Sequence, residues 1–454
     1  MSRRMDRRTF VKQAAVAAGA LGMAGSAVGG RRTAAAQTGT ATGEITVTTI
    51  PGAAGDRIVL VANNFMAANP GAKINVNIAG GAETEYKRQF PQIVNSSDKP
   101  DLAWYWVDGR QCQDIANAGL LESLDDMYAS EGWNEVLSES TKNVYTSPDG
   151  HKYAVCESIV WYPQIYYSKE AFAKAGVAEP ASHYFASLDE FYAACDKLRA
   201  AGYEPLTMGG GEGWIIGHTH DALLQRVATD EQLTDLIFNW RPGSEPTTSF
   251  TDAAGPWARS TQLLLEMYQK NVWAEGFLGR SYAEGRALFV QGKAAMYQDG
   301  SWAPTSAILY KEAPELDFGW MIYPQVDSNI QPKFLLYAGG GMMIPKGGKN
   351  PELARQFLAY LMSKEQMTAV AEAAIAVPSR NDVPPEVIQK VGPQVAEMYP
   401  LLTQYGTATG WDDPVPADMA ERSLVMWQEL LTGQTTPEQV GEEIERLADR
   451  HRSR

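Results

Sequence analysis

Cysteine is scarce: Cys112, Cys156 and Cys195 are the only three in 454 residues. An odd number cannot pair fully and no Cys-x-x-Cys occurs, so disulfides are not the main staple and a thiolate metal cluster is not expected. Histidine is scarce too, with five residues. His218 and His220 stand two apart beside Asp221, but no third ligand is evident. One of them is expected to hydrogen-bond in a cleft rather than to bind metal. The glycine run Gly209–Gly211 lacks the Gly-Lys-Ser/Thr ending of a phosphate loop. Ser/His/Asp catalysis has no Gly-x-Ser-x-Gly elbow to support it. Basic residues are few as well: 39 Lys and Arg face 54 Asp and Glu, a net charge of −15. That argues against nucleic acid or an anionic membrane as partner.

Most of the positive charge sits at the amino terminus. The first 36 residues hold Arg3, Arg4, Arg7, Arg8, Lys12, Arg31 and Arg32 against one acid, Asp6, which leaves 32 basic and 53 acidic residues beyond them. The remainder therefore carries −21. Asp6–Lys12, "DRRTFVK", precedes the weakly apolar stretch 13–30, and Ala34–Ala36 supply small residues for cleavage. Residues 1–36 are similar to a twin-arginine export signal. A retained anchor is the competing reading, weakened by the Ala- and Gly-rich composition. No later run of about 18 apolar residues occurs, so the processed chain is expected to be soluble. No cysteine lies near the cleavage region, which excludes lipid attachment there.

Past the leader, strand and helix patterns alternate. "EITVTTI" (44–50), "KINVNIAG" and "DLAWYWVD" read as strands, with amphipathic helices over "DRIVLVANNFMAANPGA" and "TEYKRQFPQIVNS" between them. This order predicts an α/β fold with a parallel, doubly wound sheet. "YAVCESIVWYPQIYYSKEAFAKAGV" predicts two strands around Pro163 and then a helix. "EGRALFVQGKAAMYQDGSWAP" predicts helix, turn, strand and loop, and "LLYAGGGMMIPKGG" a strand with a triple glycine.

Several separated segments, in order, resemble one family. They are "NPGAKINV", "KPDLAWYWVD", "GLLESLDD", "DGHKYAV" running into "IYYSKEAFAKAGV", "GKAAMYQDGSW" and "GGGMMIPKGGKNPELARQFLAYLMSKEQM" followed by "VPSR". Together they are similar to the family 1 extracellular solute-binding proteins, the sugar receptors of ABC importers, over roughly residues 44–450. The resemblance implies a two-lobed periplasmic-binding-protein fold (type II-like), with crossing segments and a ligand cleft between the lobes. The lobes are expected at 37–155 with 345–395, and at 156–344 with 396–454. It also implies an exported, monomeric receptor for a mono- or oligosaccharide that delivers ligand to permease subunits, with no cofactor, metal or catalysis. A glycerol-phosphodiester or polyol conjugate is the alternative ligand, and a secreted glycoside-cleaving enzyme the remote alternative.

In open α/β sheets ligands bind beyond the carboxyl ends of strands. That rule selects Trp106 and Asp108, Trp161 and Tyr162, Trp302, and Tyr337 with Gly340 in the Gly339–Gly341 run. A neutral sugar offers C–H faces to aromatic rings and a rim of hydroxyls to polar groups. With 12 Trp and 20 Tyr, the chain is well supplied. Trp104 is expected in the core, while Arg110 either pairs with Asp108 or meets ligand. Trp302 is expected to stack on the sugar, matching the family's Gly-x-Trp loop, with Asp299 as a turn former. Gly340 either lets ligand approach the backbone or marks a bend. Arg380 matches a family position that reaches the cleft. Trp411, with Asp412, and Trp214 are either stacking groups or ordinary packing. Glu83 and Glu85 sit where helix capping favours acids.

Overall fold

The structure, a computed structural model, describes residues 41–453 apart from 81–82, 107–108, 138–140, 143–149, 338–339 and 413. The expected signal segment and Asp108 lie outside the described residues.

The first sheet is nucleated by β-branched alternation. In β1 (Gly43–Thr49) Ile45 and Val47 are buried, and β1 pairs in parallel along its whole length with β2 (Ala72–Ile78). The helix Ala53–Ala68 links them and turns Ile58, Val61, Ala62 and Phe65 inward, the spacing of one helical face. It stops at Asn69, ahead of Pro70, which cannot continue a helix. Next to β1, also parallel, lies β3 (Leu102–Trp106). The edge strand arrives from far along the chain: β10 (Gly340–Met343) runs antiparallel to β3, giving the order β10-β3-β1-β2. So the parallel expectation holds for the first three strands, and the fourth makes the sheet mixed.

A short middle sheet joins β4 (Val160–Trp161), β9 (Phe334–Tyr337) and β11 (Thr407–Thr409) in the order β11-β9-β4. The second large sheet is β6-β7-β5-β8, built from β5 (Gln164–Ser168), β6 (Glu204–Thr207), β7 (Ala294–Asp299) and β8 (Phe318–Met321). Of its pairs only β6 with β7 is parallel. Two separate apolar clusters fill the molecule, one including Ile58, Phe65, Trp104 and Phe357, the other Phe191, Trp257, Trp411 and Trp427.

The glycine-rich segment is two strands rather than one. Tyr337 ends β9 in the middle sheet, and three residues later Gly340 begins β10 in the first sheet. Gly340 is required by packing: a Cβ there would sit 1.8 Å from the ring of Trp104. Trp104 is itself fixed by its indole N–H, which donates to Glu157 Oε1 at 2.8 Å. The same oxygen accepts Arg57 Nε at 2.9 Å, and all three side chains are buried. Removing one partner of such a buried pair costs about 3–5 kcal/mol.

Candidate functional site

The carboxyl ends of β6 and β7 point the same way, and the amino end of antiparallel β5 lies beside them. The chain therefore delivers three segments to one place: 208–214 after β6, 300–302 after β7, and Tyr162 just before β5. Their aromatic side chains, with His218 and Tyr337, form a continuous group. Tyr162 and Trp302 are stacked, with planes 3° apart and centroids at 5.4 Å. Trp214 lies 5.6 Å from Tyr162 and 6.5 Å from Trp302. His218, one helical turn beyond Trp214 in the helix Trp214–Gln225, is 4.6 Å from Tyr162 and 4.1 Å from Tyr337. Tyr162 is fully buried, whereas Trp302 and Trp214 are half-buried. Trp302 thus has one face backed by Tyr162, and it packs against both apolar clusters.

The four residues of "DGSW" each have a physical task here. Asp299 Oδ2 accepts the hydroxyls of Tyr282 at 2.7 Å and Tyr297 at 2.6 Å, while Oδ1 accepts the Gly300 N–H at 2.8 Å. Gly300 leaves room for the ring that follows: a Cβ there would lie 2.2 Å from Trp302. Ser301 exchanges backbone and side-chain hydrogen bonds with the main chain of Trp161. Trp302 donates its indole N–H to the Tyr282 hydroxyl at 2.9 Å. Asp299 is therefore a buried acceptor for two tyrosines as well as a turn residue. Burial pushes its carboxyl up to about 6, against the opposing pull of Tyr297, Tyr282 and Gly300.

Polar groups border the rings. His218 Nε2 is 3.3 Å from Asp412 Oδ2. Asp221 Oδ2 accepts the Tyr337 hydroxyl at 3.1 Å and the Trp411 amide at 2.8 Å. Burial raises the pKa of both Asp221 and Asp412, and His218 opposes the shift on each. His218 Nδ1 and Asp412 Oδ1 are buried without a hydrogen-bond partner among the described residues. Leaving such atoms unpaired costs about 1–3 kcal/mol each, so a ligand that hydrogen-bonds them recovers that energy. His220 meets this group at Asp221, its Nδ1 3.9 Å from Oδ1. It packs on Trp427 at 4.1 Å, and its Nε2 lies 2.9 Å from Ser260 Oγ and 3.2 Å from Thr261 Oγ1, inside the core.

The structure divides the residues expected at the site. Tyr162, Trp302, Tyr337 and Trp214 come together. Trp106 stands apart in the first sheet, opposite Gly340 in the β3–β10 register. Gly340 is three positions after Tyr337, so the two Cα atoms lie within about 11 Å. Lys87 Nζ sits 4.4 Å above the Trp106 ring. Gly340 accommodates Trp104. Trp161 is fully buried, its indole N–H directed at Met398 Sδ at 3.3 Å. Arg380 is held by Asp382, at 2.9 and 2.8 Å, and by the Met362 carbonyl at 3.0 Å. Trp411 is 1% exposed, bonded to the Leu236 carbonyl at 3.2 Å and wedged between Phe250 and Trp257. These last three are occupied by the interior.

Sequence reasoning passed over Tyr282 and Glu212. Glu212 Oε1 accepts the Tyr282 amide at 2.9 Å, and Oε2 the Trp214 indole at 3.3 Å. The available signal was Glu212 directly before Gly213-Trp214, an acid two residues ahead of a tryptophan that opens a helix.

The profile of the bacterial extracellular solute-binding proteins matches residues 53–368. A probable sugar-binding periplasmic protein of Rhizobium meliloti (strain 1021) is 24% identical over 313 residues, 68% of this chain and 69% of that one. The diacetylchitobiose binding protein DasA of Streptomyces coelicolor is 23% identical over 306 residues, 65% of this chain and 64% of that one. A chitin oligosaccharide binding protein of known structure superposes with a TM-score of 0.75 at 23% identity, covering 91% of this chain and 100% of its own. That likeness shows the fold, the α/β periplasmic-binding-protein fold. With well over half of its length matched, the chain belongs to the bacterial extracellular solute-binding proteins.

Proposed function

We propose that this protein is an exported receptor that captures a neutral sugar between two lobes and delivers it to the permease of an ABC importer. The lobes are the first sheet and the second sheet with their helices, and the middle sheet carries the crossing segments. The observation that carries the reading is the aromatic group with its two half-buried tryptophans, Trp302 and Trp214. Trp302, backed by Tyr162 and flanked by Trp214, offers a flat apolar surface to the C–H face of a sugar ring. His218, packed on Tyr162 and Trp214, and Asp412 next to it carry buried unpartnered polar atoms that can hydrogen-bond sugar hydroxyls. Trp106 reaches the ligand from the first sheet, so a bound sugar touches both lobes and favours their closure by that differential contact alone. Aromatic stacking and hydroxyl recognition need no cofactor, and the receptor acts as a monomer. The names of the curated relatives, sugar-binding and diacetylchitobiose binding, agree with a carbohydrate ligand. The amino-terminal segment serves as a twin-arginine export signal.

A thermal-shift screen tests this reading with mono-, di- and oligosaccharides beside glycerophosphodiesters. A sugar at about a hundred times its Kd stabilises the folded state by about 2.7 kcal/mol, a rise of a few degrees in melting temperature. Trp302→Ala is expected to remove that rise while the variant still unfolds in a cooperative transition. A shift with glycerophosphodiesters and none with sugars, or turnover of a labelled oligosaccharide, overturns the reading.

A further inference from the structure

We propose that Asp299 and Tyr282 are positioning residues: they hold the ring of Trp302 in its ligand-ready orientation before any ligand arrives. The inference rests on the reading of Trp302 as the sugar platform. Its grounds are a continuous relay. The Trp302 indole donates to the Tyr282 hydroxyl at 2.9 Å, and that hydroxyl donates onward to Asp299 Oδ2 at 2.7 Å. The carboxylate is itself clamped by Tyr297 at 2.6 Å and by the Gly300 amide at 2.8 Å, and is wholly buried. Both ends of Tyr282 are fixed, because its amide donates to Glu212 at 2.9 Å while its hydroxyl serves Trp302. Glu212 also holds the Trp214 indole, so one tyrosine couples the two half-buried tryptophans.

The donor directions are forced. An indole N–H can only donate, so the Tyr282 hydroxyl must accept from it and give its own proton elsewhere. Asp299 Oδ2 receives that proton, and a charged acceptor makes the stronger bond. An asparagine cannot substitute for Asp299. With its oxygen toward the tyrosines, its NH2 faces the Gly300 N–H, donor against donor. Flipped, the NH2 faces two hydroxyls, and Tyr282 must then accept from both sides. Fixing the ring in advance removes an ordering cost that binding otherwise carries, so the relay acts on affinity without touching ligand.

The first test needs no ligand. In protein carrying 15N-labelled tryptophan, the Trp302 indole N–H is assigned by its disappearance in Trp302→Ala, and its hydrogen exchange is followed. Tyr282→Phe and Asp299→Asn are each expected to speed that exchange at least tenfold, while the Trp411 indole N–H, bonded to Leu236, is unchanged. Unchanged exchange at Trp302 in both variants overturns the proposal, and so does an equal acceleration at Trp411, which would mean general loosening. The second test is a double-mutant cycle by calorimetry, with N,N′-diacetylchitobiose and maltotriose as probes. Asp299→Asn is expected to weaken binding about tenfold in the wild-type background and not at all in Trp302→Ala. An equal further loss in both backgrounds overturns the proposal. A wild type that binds neither probe counts against the sugar reading, and the exchange result then decides the relay independently.

Discussion

Two aromatic groups in the same half of the molecule look alike in the sequence and differ in structure. Around Trp411 the rings of Trp257, Trp427, Phe250 and His220 are all buried, meeting at centroid distances of 4.1–5.9 Å. Around Trp302 the tryptophans are half-buried, and both bond through their indole nitrogens to a network of side-chain oxygens. A core tryptophan is held by contact on every side. A tryptophan with an open face lacks half of that contact, so hydrogen bonds must set its orientation. Side-chain anchoring of a partly open ring therefore marks a working surface better than aromatic content does.

The contrast is broken most severely by exchanging the consequences of truncation. Trp411→Ala is expected to cost about 3–5 kcal/mol of stability, measured by denaturant unfolding, through the cavity it leaves. Trp302→Ala is expected to reverse the balance, weakening sugar binding about a hundredfold by titration and costing less stability than Trp411→Ala. Gly300→Ala sharpens the point with a single methyl group. Its Cβ would meet the Trp302 ring at 2.2 Å, so the ring must leave its place, and affinity is expected to fall about tenfold while far-ultraviolet circular dichroism stays constant.

A further prediction concerns the buried His220. Burial lowers the pKa of His220 to about 3. The unfolded chain takes up the proton near 6.5 and the folded one does not, so stability is lost as pH falls from about 6.5 towards 3. Asp299 works in the opposite direction: its raised pKa makes the folded state bind a proton first, so stability is gained as pH falls from about 6 to 4. The test is therefore a difference. His220→Gln is expected to flatten the acid side of the stability profile by up to about 1.4 kcal/mol per pH unit relative to wild type. An unchanged slope would show that His220 is charged or solvated in the folded state.

Much of the fold was legible because periodicity reports burial directly. The stripe Ile58-Val61-Ala62-Phe65 and the alternation in β1 place helix and strand without further information. The antiparallel edge was not legible, since β10 reaches β3 across more than 200 residues. The strand-end rule selected Tyr162, Trp302 and Tyr337, which the structure brings into one aromatic group, because position along a strand decides which residues emerge from a sheet. It could not separate Trp161 from Tyr162, adjacent in sequence and assigned to different apolar clusters. Nor could it see that Trp411 turns inward, that Asp382 occupies Arg380, or that Gly340 exists for Trp104. Those are facts of side-chain packing between distant segments. Tyr282 and Glu212 were invisible for the same reason: their role is defined only by the tryptophans they hold.

The central claim is that the open face of Trp302 receives a sugar ring. Its most direct test is calorimetric titration of the best sugar from the thermal screen into wild type and Trp302→Ala, both verified as folded. The expected result is saturable binding by wild type and a loss of about a hundredfold in the variant. Equal affinity in the two proteins would contradict it.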